Sequence, residues 1–350
     1  MKSKTIYLAA LLAAVPWACT KTPITSPEGS PSMVRLSVGL ESTASTKATE
    51  EGTEAENSVS SMTVSVFKDA GGDAMFEASG RSYNSSLNIT VTNGPKILFA
   101  LVNHPENTEA ETSLGSILEK ESFLKDNARS RFVMSGSRSA TVSEGNSNVT
   151  IPVDRIAARI KIGKITNRLD NGFASKDVSL RRIFLTHVAA SSNIGMDAEA
   201  DEFYANTGIG TLLDLEGGSI GQEETSAVNS LIFSQIGSPV IAQNASCASV
   251  PALYAYPNSG ARAKTRVVAE MSIDGKFFTY PVEFNALLPN HSYQIEELVL
   301  RSLGNPSNGD DVIDPGEDEP ITRSEAVFSV SVKDWEIVPV SNGEDGKYTI

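Results

Sequence analysis

VTIPVDRIAARIKIGKI, residues Val149–Ile165, is the stretch on which the fold reading turns. Val149–Val153 reads as one strand and Ala158–Ile165 as another. In the second, Ala158, Ile160 and Ile162 point one way while Arg159 and Lys161 point the other, the period of two that a half-buried strand requires. The same alternation returns upstream. Val34, Leu36, Val38 and Leu40 interleave with Arg35, Ser37 and Gly39, and Met62, Val64 and Val66 repeat the pattern. Leu87–Thr92, Ile97–Val102, Val178–Val188, Ser230–Gln235, Thr265–Ile273, Phe277–Phe284, His291–Leu300 and Val327–Val338 add further strands. Asp274-Gly275, between two of these runs, signals a tight hairpin. Only Thr112–Asn127 has apolar residues near helical spacing: Leu114, Ile117, Leu118 and Leu124. Many short strands and a single short helix predict an all-β protein built from β-sandwiches.

A chain of 350 residues exceeds one ordinary core. The turn-rich NRLDNG, Asn167–Gly172, is the natural break. It divides residues 34–167, an N-terminal sandwich carrying the helix, from residues 168–350, a C-terminal sandwich. Before them, residues 1–18 have Lys2 and Lys4, an apolar core from Ile6 to Val15, and small residues ahead of Cys19, the layout of a secretory signal. A cysteine at the cleavage point predicts a bacterial lipoprotein with Cys19 acylated, although Pro16 stands where such boxes usually carry Leu; plain secretion after Ala18 is the alternative. Residues 19–33 form a Pro/Ser/Thr-rich tether. With Cys19 acylated, Cys247 is the one remaining thiol. No intrachain disulfide then forms, and Cys247 is expected to pack as a small hydrophobe.

The net charge of −14 argues against a nucleic-acid partner. His104, His187 and His291 are far apart and lack metal-ligand spacing to each other. GxSxG, HExxH, phosphate-loop and dinucleotide motifs are absent, so the sequence predicts neither an enzyme nor a cofactor. Residues 304–323, GNPSNGDDVIDPGEDEPITR, carry six acidic side chains that suit calcium, but without EF-hand spacing and with three prolines they read as an extended, solvated loop. Behind that loop lies AVFSVSVKDWEIVPV, a strongly apolar C-terminal strand.

Four stretches together, RFVMSGS (Arg131–Ser137), Val149–Ile165, LLPNHSYQIEELVLRSLGNP (Leu287–Pro306) and VSVKDWEIV (Val330–Val338), resemble the fimbrillin family, shaft subunits of the type V pili of Bacteroidota. The resemblance covers nearly the whole chain. It implies two tandem transthyretin-like β-sandwiches, lipid-dependent export, a cell-surface fimbria and polymerisation with other copies of the chain or related subunits. The outer membrane would hold the lipidated precursor, and host or bacterial surface ligands would be adhesion targets. In the family an N-terminal strand is cut away by an Arg- or Lys-directed protease. On this chain that cut maps to Lys47, in STASTKATEEG after the first strand, or to Arg35 within it. The resemblance also implies a donated C-terminal strand, residues 324–350, with Phe328, Val330, Val332, Trp335 and Ile337 as anchors. At about 1.5–3 kcal/mol per buried large side chain, five anchors supply on the order of 10 kcal/mol before ordering costs. The alternatives are an anchor or tip subunit of the same fibre, or a surface glycan-binding lipoprotein. The last would present clustered aromatics, whereas aromatic residues make up only 7% of this chain.

Overall fold

The structure is a computed structural model that describes residues 33–41, 49–69, 74–143, 146–170, 172–197, 199–208, 211–214, 219–248, 250–310, 313–314, 316–320, 326–336, 341–342 and 348–349. The first sandwich contains β1 (Met33–Glu41), β3 (Met62–Asp69), β4 (Ala74–Ser82), β5 (Ser86–Thr92), β6 (Gly94–Val102), β8 (Met134–Val142), β9 (Asn146–Pro152) and β10 (Asp154–Arg155). Between them, β2 (Thr49–Glu51) crosses to the second sandwich, while β7 (Glu121–Phe123) pairs with residues 191–193. One layer is the three-stranded sheet β5-β1-β9 and the other the five-stranded sheet β10-β8-β6-β3-β4. Alternation puts Val34, Leu36, Ile89, Val91 and Ile151 from the small sheet into one aliphatic core with Val64, Leu98, Ala100, Val102 and Met134 from the large one.

The second sandwich uses β11 (Ala158–Ile162), β12 (Ile165–Asn167), β13 (Val178–Thr186), β14 (Leu253–Ala255), β15 (Arg266–Ile273), β16 (Lys276–Glu283), β17 (His291–Leu300), β18 (Asn305–Ser307) and β19 (Ala326–Glu336). In one layer β17 runs parallel to β11 and β12 on one side and antiparallel to β19 on the other. The facing layer orders β13-β15-β16-β18. The Asp274-Gly275 hairpin between β15 and β16 is realised with φ values of 53° and 76°, the left-handed pair that a two-residue turn of this hand needs.

The all-β reading holds, with four local differences. The expected boundary at Asn167–Gly172 falls too late: β11 and β12 pair with β17, so the second sandwich begins just after β10. Alternation marks a strand but not its partner, and here the partner is more than a hundred residues downstream (Arg159 to Ser292 is a separation of 133). Thr112–Asn127 is not one helix: α1 (Leu114–Leu118) and a 3-10 turn at Leu124–Asp126 are separated by β7, which takes Glu121–Phe123 for pairing. A longer helix, α2 (Gln222–Ile232), takes the first half of the expected strand Ser230–Gln235 and buries Thr225, Val228, Leu231 and Ile232 along one side, while Phe233–Gln235 is extended and pairs with β13.

The fourth difference is the acidic segment, which is not simply an extended, solvated loop. Asn305–Ser307 pairs with β16, and Ile313 packs on Phe184 and Val268. Glu317 and Asp318 are buried, and burial pushes the Glu317 carboxyl above its ordinary pKa. Arg182 and Arg266 donate to the carbonyls of Asp310 and Asp318. Apolar side chains on the outer face of the sheet need a cover, and this segment supplies it.

Candidate functional site

Two regions concern function: the first strand, and the end of the last long one. β1 lies between two unlike neighbours. It pairs antiparallel with β5 from Met33↔Thr92 to Gly39↔Ser86, and parallel with β9 from Arg35↔Asn146 to Glu41↔Pro152. Val34, Leu36 and Val38 are 2%, 0% and 1% exposed. Three buried aliphatics are worth roughly 5–9 kcal/mol gross. Without β1, the facing edges of β5 and β9 would lie open above a nine-residue apolar slot, a template for another strand. Across β1, Ser37 Oγ donates to Asn88 Oδ1 at 2.8 Å. Arg35 points its side chain to solvent, but its backbone is paired on both sides, which protects that bond from proteases. Lys47, Cys19 and Ile337 lie outside the described residues.

β19 pairs with β17 over nine positions of its own chain, with Phe328, Val330 and Val332 opposite Leu298, Ile295 and Tyr293. Its last residues, Asp334–Glu336, are flanked on the other side by β2 running parallel. Trp335 is fully buried. Its ring stacks on Tyr254 at 5.6 Å and meets Phe132 edge-on at 5.4 Å. Two guanidiniums lie over it, Arg155 at 4.1 Å and Arg159 at 4.8 Å from the ring centroid. The backbone is held too: Trp335 N donates to Asn290 O at 2.9 Å, and Arg155 Nη1 donates to Trp335 O at 3.1 Å.

Buried arginines need acceptors, and the turn after β2 provides them. Asn57 Oδ1 and the Glu56 carbonyl accept from Arg155, while the Glu56 carboxylate accepts from Arg159 Nη1 at 3.0 Å, Tyr254 Oη at 2.5 Å and Thr53 N at 2.6 Å. Burial alone would raise the Glu56 pKa, but the hydrogen bonds from Tyr254 and Thr53 and the Arg159 charge outweigh it and hold the carboxyl below its ordinary value. Burial pushes the Arg155 guanidinium down to about 9, against the opposing pull of Glu56.

Of the expected site residues, the structure brings Trp335 not to β1 but to residues 53–57 and 155–159. Glu56, Arg155 and Arg159 are sites the sequence reading missed. Alternation assigns Arg159 to a polar face, yet it is 3% exposed because the other end of the chain covers that face. Their one sequence signal is two arginines bracketing the apolar Ile156-Ala157-Ala158. Elsewhere, a cavity of about 380 Å³ is lined by Phe123, Lys125, Tyr204 and Glu224 among others. Its polar groups satisfy one another: Tyr204 Oη and Lys125 Nζ both donate to Glu224, at 2.6 and 3.0 Å. Cys247 is half-buried against the core, a small packing residue.

No protein-family model and no curated protein matches the sequence. Solved structures do match its shape. A candidate cell adhesion protein of Bacteroides eggerthii superposes with a TM-score of 0.64 at 16% identity, over 87% of this chain and 97% of that one. A candidate cell adhesion protein of Parabacteroides distasonis gives 0.58 at 14% identity, covering 89% and 98%. A fimbrilin of Porphyromonas gingivalis gives 0.54 at 12% identity, covering 87% and 98%. The chain therefore has the all-β fold of these adhesion and fimbrial proteins, along almost their full length.

Proposed function

We propose that this chain is a structural, non-enzymatic subunit of a cell-surface fimbria, assembled by strand replacement between copies. The observation that carries the reading is the position of β1: an N-terminal strand in the middle of a sheet, held by backbone pairing and alternating aliphatics, with a basic residue shortly after it. Export as a lipoprotein acylated at Cys19, followed by cleavage at Lys47, removes tether and strand together. The slot then accepts the C-terminal segment, residues 324–350, of another copy. Main-chain hydrogen bonds give affinity, and alternate side chains give register. Such a head-to-tail contact does not close on itself, so it builds filaments.

The test is limited cleavage of the purified chain within residues 42–48, followed by SDS gels of unboiled samples. Ladders are expected from the cut chain and not from the uncut chain or from a cut chain lacking residues 324–350. A cut chain that loses β1 and stays monomeric would overturn the reading. Radiolabelled palmitate incorporation, lost on Cys19→Ala, checks the export step.

A further inference from the structure

The strands on either side of β1 depend on it. Among the described residues, β5 and β9 each ladder with β1 alone, over seven positions. Because β1 is antiparallel to β5 and parallel to β9, those two strands run antiparallel to each other. Once β1 leaves, they face one another across two strand spacings, roughly 9.5 Å, with their inner backbone groups unpaired. Moving together by one spacing would pair them directly and abolish the slot. We infer that two side-chain clips from the facing sheet, Glu77 with Lys96 and Arg138, hold these walls apart and keep the emptied slot open until a strand fills it. The inference rests on the strand-replacement reading and names the residues that keep the acceptor ready.

The β5 wall is clipped at its end. The Thr92 backbone N–H and hydroxyl both donate to Glu77 Oε1 on β4, at 2.6 and 2.5 Å. Lys96 Nζ, on β6, lies 2.7 Å from Glu77 Oε2 and donates to Thr92 Oγ1 at 3.0 Å. Lys96 is 2% exposed and shares its row with Leu98, Ala100 and Val102, which line the aliphatic core. An ammonium in that row needs acceptors, and Glu77 and Thr92 supply them. Glu77 is the extra residue of a bulge, since Val66 pairs with Ala78 and Phe67 with Phe76. Burial raises the Glu77 pKa, but its bonds from Lys96 and Thr92 outweigh this and hold the carboxyl below its ordinary value. The β9 wall is tied at two points. Arg138 Nη1, on β8, donates to Thr150 O at 2.8 Å. Arg138 also falls in an inward row, between Met134 and Val142. Two residues further along β9, Pro152 O sits 1.8 Å from where a Cβ on Gly136 would lie, so β9 crosses that glycine backbone against backbone. All these groups follow Lys47 and remain after the cut. Closing the gap by one spacing, whichever wall moves, would pull Thr92 from Glu77 or Thr150 from Arg138. A slot open for only a fraction of the time takes up a strand with correspondingly lower apparent affinity.

Cysteines placed across the slot test this directly. Asn88 and Asn148 flank Ser37 in the β5 and β9 registers, and both side chains are exposed. Two strand spacings exceed the Cα separation a disulfide spans, whereas directly paired strands fall within it. Asn88→Cys with Asn148→Cys, made together with Cys19→Ser and Cys247→Ser, is cut within residues 42–48 and oxidised. Cross-linking is followed in the monomer that has lost β1. With the clips intact, its rate is expected to stay within about twofold of that in the uncut chain. With Glu77→Gln and Arg138→Leu together, it is expected to rise about tenfold or more, while ladders of the cut chain form about tenfold more slowly. Fast cross-linking with the clips intact would overturn the inference, and so would slow cross-linking without them. Arg138→Leu alone changes an exposed side chain and covers the case in which the double variant does not fold; about threefold faster cross-linking is expected, and an unchanged rate would overturn the Arg138 clip. A cut chain that keeps β1 in every variant, or that loses it and forms no ladders with the clips intact, would instead overturn strand replacement.

Discussion

β1 and the end of β19 are both strands flanked by two neighbours, yet they are built from opposite materials. β1 buries Val34, Leu36 and Val38 and offers the rest of the molecule little beyond its backbone. Any extended segment with apolar residues at alternate positions meets the same requirements. The end of β19 instead buries a tryptophan packed against two arginines, whose donors end on a buried carboxylate, asparagine side chains and main-chain oxygens. A large aromatic face at this position is what the two guanidiniums pack against. A strand to be exchanged should be held generically, and a strand to be kept should be held specifically.

The largest effect should come from Trp335→Ala. Truncating a fully buried tryptophan costs about 3–5 kcal/mol, read as a drop in the denaturation midpoint of the uncut chain. Trp335→Phe should retain most of that, since the ring face over which the guanidiniums lie is kept. Equal losses for both would show that the indole, not the stack, matters. Glu56→Gln comes next, because it leaves Arg159 buried beside a neutral partner; removing one member of a buried pair costs about 3–5 kcal/mol at neutral pH. The effect has a pH signature. The folded Glu56 carboxyl titrates below its ordinary value of 4.5, so its contribution is full above that pH and is lost as pH falls through the lower folded value. The stability difference between wild type and Glu56→Gln should shrink as pH drops below 4.5. A difference that stays constant down to pH 3 would mean that the carboxylate charge is not what Arg159 needs.

These residues also mark where sequence reading stops. Strand existence was legible almost throughout, because Val34–Leu40, Thr265–Ile273 and His291–Leu300 each show the two-residue period and little else competes for it. The inward face of β1 was legible for the same reason: Val34, Leu36 and Val38 alternate locally. The junction was not. Glu56 sits in a polar stretch, and Arg159 alternates outward as a surface residue should. Arg159 becomes a core residue because the chain returns with Trp335 after 335 − 159 = 176 residues, and Glu56 because Arg159 and Tyr254 close over it. Burial made by distant segments leaves no periodic mark. The acidic loop misled for a related reason: its charges suggest solvent, while Ile313, one apolar residue among them, ties it down on Phe184 and Val268.

The same contrast predicts smaller and conditional effects at β1. Leu36→Ala should cost about 2–5 kcal/mol in the uncut chain, where the side chain is fully buried, and nothing measurable in the cut chain, from which β1 has gone. A cost that persisted after cutting would mean that β1 stays in its slot despite the nick. Ser37→Ala should be the mildest. Its hydroxyl faces away from the core and makes a single bond to Asn88 at the surface, so its loss should shift stability by less than about 0.5 kcal/mol. A larger penalty there would mean that β1 is recognised by its polar face as well as its apolar one. Replacement strands would then have to carry a hydroxyl in register with Asn88, and the slot would be far more selective than its aliphatic lining suggests.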